Sequence, residues 1–330
     1  MARFVFRRIV HAVVLVIITI TVTFFAVHLA PGDPLSRYYS PDVDPDVMRT
    51  VRTQLGLDDP LHVQFTRWLW SFVRGDFGTS LRDHRPVATV LGETIPRTLR
   101  LTLVAFVVQL IAGLGVGLAA VWKRGRAPDR ALSLTTLVIY AVPAFYLAYL
   151  LITFFSLQLG WFPTSGVQSI GMEDAPLWQV FADRARHLVL PVLVLGIASA
   201  AGLARFARGS LLEAIREDYV RTARAKGVTE GRVLTIHAFR NALLPILTVV
   251  GLSVPFLLGG AVVVEKVFAY PGMGALMVDA IFARDYPVVL AVNFVAACTV
   301  IAGNLLADVS FVLADPRTKL ASFRLSPDGE

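Results

Sequence analysis

Long runs of apolar residues alternate along this chain with shorter polar segments. Six runs are close to the roughly 20 residues that an α-helix needs to cross about 30 Å of hydrocarbon. They are Ile9–Ala30, Leu101–Val121, Ala131–Leu159, Leu188–Phe206, Ala242–Val264 and Val288–Ala314. The pattern predicts an all-α, polytopic membrane protein with six transmembrane helices. The first run is too long for the apolar part of a signal peptide, so we expect it to be an uncleaved anchor.

Proline and glycine occur inside several of these runs. The prolines should free backbone carbonyls and bend their helices, which suits a bundle that opens and closes. They are Pro143, Pro191, Pro245 and Pro255. The pair Gly113 and Gly117, four residues apart, should allow a neighbouring helix to approach closely. Plain packing is the alternative for each of these residues.

The polar segment 31–100, between the first two runs, has a helical pattern of its own. Asp44–Pro45 is a helix start signal with Gly56 as the stop, and a second helix follows Asp59–Pro60. The apolar side chains of the second helix form one stripe, which ends before Gly75: Leu61, Phe65, Trp68, Leu69 and Phe72. The stripe predicts a helix that lies flat at the outer membrane interface or caps a pore. Packing against the transmembrane bundle is the alternative.

Composition and charge add an orientation to this picture. Hydrophobic residues make up 55% of the 330 residues and charged residues 17%, which indicates a chain dissolved in lipid. The N-terminus, residues 123–130, residues 205–240 and the tail carry 18 Lys and Arg residues, against 4 in the loops 160–187 and 265–287. By the positive-inside rule both termini are cytoplasmic and the 31–100 insertion is extracytoplasmic.

The predicted organisation therefore has four parts. Residues 1–30 form the N-terminal end and first span, and residues 31–100 form the helical extracytoplasmic insertion. Residues 101–314 form a five-helix transmembrane core that includes a cytoplasmic segment at 211–240. Residues 315–330 form a cytoplasmic tail.

Several classes of function are excluded by what the sequence lacks. Cys298 is the one cysteine, so neither a disulfide framework nor a cysteine-rich metal site is expected. The net charge of +7 is concentrated at the ends of the spans and no nucleic-acid-binding motif accompanies it, so we expect no nucleic-acid partner. Neither G-x-S-x-G nor H-E-x-x-H occurs, so we expect no catalytic residues and no metal. Without a G-x-x-x-x-G-K-[ST] loop the chain cannot cradle ATP by that route, and we expect it to bind no cofactor.

A basic segment between the fourth and fifth runs is the most informative part of the chain. Residues 211–226 have a helical composition, with acidic residues early and basic residues late, and Gly227 supplies the stop. Thr229 is a cap for a second helix that continues into the fifth run. The candidate functional residues here are Tyr219, Arg221, Ala223, Arg224, Lys226 and Gly227, and we expect them to be exposed. The segment is either a docking surface for a separate cytoplasmic protein or a generic basic loop that obeys the positive-inside rule.

This segment resembles the cytoplasmic EAA loop of ABC-importer permeases, in which a small residue and a glycine four positions later precede a Leu-Pro pair. Here these are Ala223, Gly227 and Leu244–Pro245. Arg221–Ala223 stands where the general family has Glu-Ala-Ala, and the spacing from the glycine to the proline is longer. The B-type permease subunit of the dipeptide/oligopeptide subgroup shares both departures.

The resemblance to that subgroup extends over nearly the whole chain. Nine motifs occur in order, and they are LAPGDP (Leu29–Pro34), LGLDDPL (Leu55–Leu61), RGDFGTS (Arg74–Ser80), HLVLPVLVLG (His187–Gly196), ARAKG (Ala223–Gly227), RNALLP (Arg240–Pro245), VVEKVFAYPGMG (Val263–Gly274), RDYP (Arg284–Pro287) and ADPR (Ala314–Arg317). The resemblance implies a transport subunit in the bacterial inner membrane that is not itself an enzyme. It would form half of a pore with a second homologous permease subunit.

The implied partners also include two cytoplasmic ABC ATPase subunits, which bind ATP and Mg, and an extracytoplasmic peptide-binding protein. The 211–240 segment, called the coupling loop below, would contact an ATPase. Candidates for docking the binding protein are Trp68 and Phe72 on the insertion and Tyr270 and Gly272 in the outer turn, for which a purely structural turn is the alternative. The substrates would be dipeptides or oligopeptides; nickel chelates, glutathione and oligosaccharides are the alternatives.

Three polar residues lie near the centres of predicted spans. Gln109, Asn293 and Asn304 are candidates for the translocation path, although hydrogen bonding between helices is the commoner use of such residues. The scarcity of central ionisable groups argues against an ion-coupled secondary transporter, the alternative from a different class. Asp308, near the inner end of the sixth run, is expected to pair with a nearby Arg or Lys.

Overall fold

A computed structural model describes residues 2–29, 46, 50, 52–53, 56, 58–253 and 261–314. At residues 2–7, 9, 244, 252 and 306–314 it describes the helical backbone and not the side chain. Most of the first predicted helix of the insertion, Pro255 and the tail lie outside the described residues, as does the side chain of Asp308.

Helices account for nearly all of the regular structure in the described part of the chain. They are α1 (Ala2–Leu29), α2 (Leu61–Val73), α3 (Val87–Trp122), α4 (Ala127–Ala141), α5 (Ala144–Leu151), α6 (Leu177–Ala214), α7 (Asp218–Ala225), α8 (Glu230–Arg232), α9 (Phe239–Ser253), α10 (Val262–Val267), α11 (Met273–Ala283) and α12 (Tyr286–Ala314). Two π-helices continue α5 and α8, at Ile152–Gln158 and Val233–Ala238. The prediction of an all-α polytopic protein is confirmed.

Four of the described helices are long and apolar enough to cross a membrane: α1, α3, α6 and α12. Two bent pairs bring the number to six if each pair is one span. The third predicted run bends by 104° where α4 meets α5, next to Pro143, and the fifth bends by 52° at Pro245. Proline removes a backbone donor and clashes with the preceding turn, which explains both sites.

The helices extend beyond the apolar runs that predicted them. α3 begins at Val87, so the predicted boundary at residue 100 lies inside it, and α6 runs for 38 residues across Pro191. The predicted helix over residues 211–226 is wrong in its bounds, because α6 ends at Ala214 and α7 begins at Asp218. Apolar length marks only the stretch that lies in hydrocarbon, whereas a helix continues for as long as its polar ends can be solvated or packed.

One compact unit contains residues 1–97 and 272–299. Its core is aromatic: Phe24 of α1 packs against Phe65 and Trp68 of α2, with ring centroids 5.2 and 5.3 Å apart. Phe72 meets Phe294 of α12 edge-on at 4.7 Å. The predicted stripe on α2 is therefore real, but it packs onto the helices of its own unit. Of the two interpretations of that stripe, packing is the one the contacts support.

A buried carboxylate fixes the end of the insertion in this unit. Ser80 donates a hydrogen bond from its Oγ to Oδ2 of Asp285 at 2.5 Å, and the backbone N–H of Arg82 donates to the same oxygen at 3.2 Å. Asp285 precedes α12 directly. The motifs RGDFGTS and RDYP, far apart in the chain, are thus joined by one side chain.

The second unit contains residues 98–271 and 300–330. Within it, α3 and α6 approach closely at glycines. A Cβ built on Gly117 would lie 2.9 Å from the Cβ of Ala207, and one on Gly113 would lie 2.9 Å from Leu203. Gly196 of α6 makes a similar close approach to α3, since a Cβ built on it would lie 2.8 Å from Val108. The close approach expected at Gly113 and Gly117 is present.

This contact predicts a position-dependent cost of adding side chains to α3. Gly117→Val should reduce the free energy of unfolding by about 1–3 kcal/mol, because the new side chain overlaps Ala207 and the carbonyl of Ala204. Thermal unfolding of the purified protein in detergent measures the change. Gly115→Val is the matched control, since nothing lies within 4 Å of a Cβ at that glycine. Equal losses for the two variants would contradict the packing described.

Candidate functional site

The coupling loop begins where the long helix α6 ends. After a turn at residues 215–217, Glu217 adopts an extended conformation and α7 starts at Asp218. Asp218 at the start of α7 and Arg224 in its last turn complement the helix dipole, as the sequence predicts. The result is a helix of 8 residues between the 38-residue α6 and the short α8, which the π-helix continues.

α7 ends in a Schellman motif centred on Gly227. The N–H of Gly227 donates to the carbonyl of Arg224 at 2.9 Å, and the N–H of Val228 donates to the carbonyl of Ala223 at 3.2 Å. Gly227 has φ +77°, in the left-handed region where glycine carries no Cβ penalty. The predicted end of the helix at Gly227 is therefore stabilised by two hydrogen bonds, which hold the turn in one conformation.

The inner face of α7 is apolar and packed. Val220 and Ala223 contact Val233, with Val228 against them, as expected for the side chain that follows a Schellman turn. Ala223 is only 6% exposed, so the expectation that it is exposed is wrong. Its spacing of three residues from Val220 is the signal that sequence reasoning missed. Ala223 faces the chain's own core and needs to be small for that reason.

The outer face of α7 is polar and mostly basic. Arg221, Arg224, Lys226 and Gly227 are exposed. Arg224 forms a bidentate pair with Glu230, at 2.6 and 3.1 Å, across the turn. Tyr219 is 38% exposed and its hydroxyl bonds to Asn241 on α9. The coupling loop therefore has an exposed basic edge, formed by Arg221, Arg224 and Lys226, and an opposite apolar face that packs against Val233.

The anchor extends into the transmembrane part of the same unit. Immediately after Val233, Leu234 and Ala238 of the π-helix join a buried cluster with Leu211 and Ala207 of α6 and Val121 of α3. Gly231 lies against Trp122, whose ring would be 3.2 Å from a Cβ at that glycine. The coupling loop is therefore packed on side chains of α3, α6 and α9 as well as on its own apolar residues.

A buried ion pair near the loop was missed by the sequence reasoning. Asp129 at the start of α4 accepts two hydrogen bonds from Arg208 of α6, at 3.0 and 3.1 Å, and a third from the N–H of Gly125 at 3.0 Å. Asp129 is 5% exposed. The signal in the sequence was an acidic residue inside a basic turn. The pair fastens the 123–130 turn to the helix that leads into the coupling loop.

The three polar residues proposed for the translocation path occupy different surroundings. Gln109 lines a cavity between α3, α6 and α9. Asn293 donates a hydrogen bond to Thr23 of α1, which is the inter-helix use that sequence reasoning weighed as the alternative. Asn304 is exposed on α12. The three side chains therefore have three different local environments.

The residues proposed for docking a binding protein are mostly inaccessible. Phe72, Tyr270 and Gly272 are buried, and Trp68 is half-buried against Phe24. A buried side chain presents no surface to a partner, so the burial contradicts a docking role for the first three. On α2 the aromatic side chain that is exposed is Trp70, under the guanidinium of Arg74 at 4.3 Å. It lies one position off the stripe that the sequence analysis followed.

Comparison with known proteins places this architecture in one family. Residues 88–320 match the family described as the binding-protein-dependent transport system inner membrane component, and residues 1–102 match its N-terminal family. The chain is 39% identical to the oligopeptide transport system permease protein AppB of Bacillus subtilis (strain 168), over 96% of this chain and 99% of that protein. It is 43% identical to the glutathione transport system permease protein GsiC of Escherichia coli (strain K12), over 96% and 98%.

Solved structures share the fold at low identity. The inward-facing MetNI methionine ABC transporter matches with a TM-score of 0.56 at 18% identity, over 70% of this chain and 98% of that chain. An amino acid ABC transporter solved with histidines matches with a TM-score of 0.52 at 17% identity, over 68% and 94%. The shared part is the helical membrane architecture.

The packing of α7 predicts different effects at two neighbouring alanines. Ala223→Leu should destabilise the loop by about 1–3 kcal/mol, because its side chain is forced against Val220 and Val233. Ala225→Leu, two residues on and exposed, should leave the loop unchanged. Hydrogen–deuterium exchange of residues 218–233 measures local opening. Faster exchange in both variants, or in neither, would contradict the inner and outer faces assigned to α7.

Proposed function

The chain belongs to the family of binding-protein-dependent transport system inner membrane components, and we propose that its coupling loop transmits the work of a separate ATPase to a transmembrane path for peptides. It is a permease subunit of an ABC importer and a multi-pass protein of the bacterial inner membrane. The observation that carries the proposal is the loop itself, which has one anchored apolar face and one fixed basic edge.

The assembly we propose has five protein subunits. This chain and a second homologous permease subunit each form half of the pore. Two cytoplasmic ABC ATPase subunits bind ATP and Mg, and an extracytoplasmic binding protein delivers the substrate. This chain contributes no ATPase site of its own. Its relatives' names as permease subunits of transport systems support this division of labour.

The physical argument for coupling has two steps. A partner cleft that receives α7 gains close contact at Gly227, where no atom of this chain lies within 4 Å of a Cβ, and charged contacts at Arg221 and Lys226. Displacement of α7 then moves Val233 and the cluster that follows it, because Val220 and Ala223 are packed against that residue. The loop acts as a rigid lever because its turn is held by the Schellman bonds and by the pair of Arg224 and Glu230.

An ion-coupled secondary transporter is the competing class, and the buried acids of the second unit argue against it. Glu265 accepts a hydrogen bond from Thr98 at 2.7 Å, Asp129 is paired with Arg208, and Asp183 accepts two from Ser169. Carboxylates satisfied in this way hold helices and loops together. A proton relay requires acids that exchange partners along a path.

Peptides are the substrate class we propose. The two curated relatives are named for oligopeptide and glutathione transport, and both substrates contain peptide bonds. Nickel chelates and oligosaccharides remain the alternative cargoes of the same machinery, and uptake by the reconstituted assembly with its binding protein distinguishes them.

Orientation gives the first test of the proposal. We propose that both termini are cytoplasmic, from the excess of Lys and Arg on one side. Cysteines introduced at Asp58 and Arg126 should then react with an impermeant maleimide from opposite sides of the membrane, Asp58 from outside. Reaction of both from the same side would contradict the topology, and with it the cytoplasmic location of the coupling loop.

A pair of glycine variants tests the coupling role. Gly227→Val should abolish substrate-stimulated ATP hydrolysis and uptake, because the backbone strain of about 1 kcal/mol or more adds to a clash with the ATPase. Gly125→Val is the matched control: it has the same φ of +77° and equally open surroundings, in a turn to which we assign no partner.

Both glycine variants should insert and assemble, since neither side chain meets another part of this chain. The measurements are ATPase activity and uptake in proteoliposomes, with subunit stoichiometry checked in each. Equal activity of the two variants would show that Gly227 has no partner beyond this chain, and the basic edge would then serve orientation alone.

A further inference from the structure

A cavity of about 390 Å³ lies between α3, α6 and α9 in the second unit. This volume is within the range of roughly 300–1,000 Å³ that small-molecule sites occupy. Leu195 and Leu203 of α6 and Phe106 of α3 form apolar parts of its wall. Its polar residues are Thr102, Gln109, Ser199 and Ser253. None of the residues that line it is ionisable, so it offers hydrogen bonds and no charge.

Two of the four polar side chains are already satisfied within the chain. Thr102 donates to the carbonyl of Thr98 at 2.9 Å, and Ser253 donates to the carbonyl of Val249 at 3.1 Å. Such bonds to the preceding turn satisfy the hydroxyl donor inside an apolar helix bundle. These residues make the wall weakly polar without requiring anything from a ligand.

Gln109 and Ser199 differ from them. Neither side chain makes a hydrogen bond to any part of the chain that the structure describes, and both line the cavity. Gln109 lies 13 residues before the end of α3, well inside a helix that crosses the membrane. Gln109 is half-buried and Ser199 is exposed, so both can form hydrogen bonds with a molecule that enters the cavity.

We propose that this cavity is a transient binding site for the peptide bond of the substrate, in which the side chains of Gln109 and Ser199 form hydrogen bonds with the peptide group. This rests on the proposed function as a peptide permease. A primary amide has both a donor and an acceptor, and a peptide group presents the complementary pair. An uncharged wall accommodates peptides whatever the charge of their side chains. It also avoids the strong binding that would stop a substrate from leaving.

One wall residue connects the cavity to the coupling loop. Leu203 lines the cavity and also lies against Gly113, at one of the close approaches of α3 and α6. The same leucine belongs to a buried cluster with Leu211 and Leu234 of the coupling loop. The cavity therefore borders the packed layer that the loop enters, and movement of that layer alters the shape of the cavity.

The test compares trialanine with trialanine methylated at its peptide nitrogens. Uptake of each radiolabelled peptide is measured in proteoliposomes that contain the complete assembly and saturating binding protein. Because each protein variant receives peptide from the same binding protein, the preference of that protein cancels when variants are compared. Gln109→Met keeps the length of the side chain and removes its hydrogen bonds, and Ile111→Met, exposed on the same helix, is the control.

The ratio of trialanine uptake to methylated-peptide uptake should be about 2- to 12-fold lower in Gln109→Met than in the wild type and in Ile111→Met, the cost of one neutral hydrogen bond. Ser199→Cys should react with a small impermeant thiol reagent, and trialanine should protect it. Full uptake and unchanged discrimination in Gln109→Met, with unprotected Ser199→Cys, would overturn the site while leaving the permease function intact. No ATP-driven uptake of trialanine by the wild type would overturn the proposed peptide function itself.

Discussion

The close approach of α3 to α6 is the contact on which the rest of the second unit depends. Hydrocarbon gives helices no hydrophobic reason to associate, so they pack through small residues and dispersion contacts. Gly113, Gly117 and Gly196 provide this, with Leu203, Ala207 and Val108 filling the space of the missing side chains. The cavity lies beside this contact, between α3, α6 and α9, and toward residue 121 the packed layer receives Leu234 and Ala238 of the coupling loop.

The proposed coupling requires this arrangement, because it connects an exposed segment to side chains packed inside the second unit. The chain passes from the coupling loop into α9 through two irregular elements, which are the π-helix Val233–Ala238 and the bend at Pro245. π-helices and proline bends are where helices are most often interrupted at functional sites. Leu234 and Ala238 of this π-helix pack into the layer of buried side chains from α3 and α6. In the mechanism we propose, this layer carries the movement of α7 into the second unit, and the basic edge is left available to a partner.

The sequence predicts the helical elements well, because their signals are local. Apolar length identifies the spans, proline marks both bends, and Gly227 marks the end of α7. It predicts the faces of the helices less well. Ala223 looks like an exposed small residue until Val233 is seen packed on it, and Phe72 looks like a docking residue until Phe294 is seen against it. Both depend on which distant helix lies opposite, and no local pattern carries that information.

Polar residues inside spans show the same limit. Gln109, Asn293 and Asn304 are equivalent in the sequence, yet one lines a cavity, one bonds to Thr23 and one is exposed. The ion pair of Asp129 and Arg208 joins residues 79 positions apart, so neither side chain predicts the other. Features that depend on residues close together in the sequence could be predicted, and contacts between residues far apart in the sequence could not.

Site-specific photo-crosslinking tests the central claim, that α7 and its C-terminal turn are the part of the coupling loop that contacts the ATPase. A benzophenone amino acid in place of Lys226, on the exposed end of α7, is irradiated in the complete assembly, with Ile236 of the π-helix as the reference position. The account predicts a crosslink from Lys226 to an ATPase subunit, and a weaker one or none from Ile236. Crosslinks from Lys226 to lipid or to the second permease alone would contradict it.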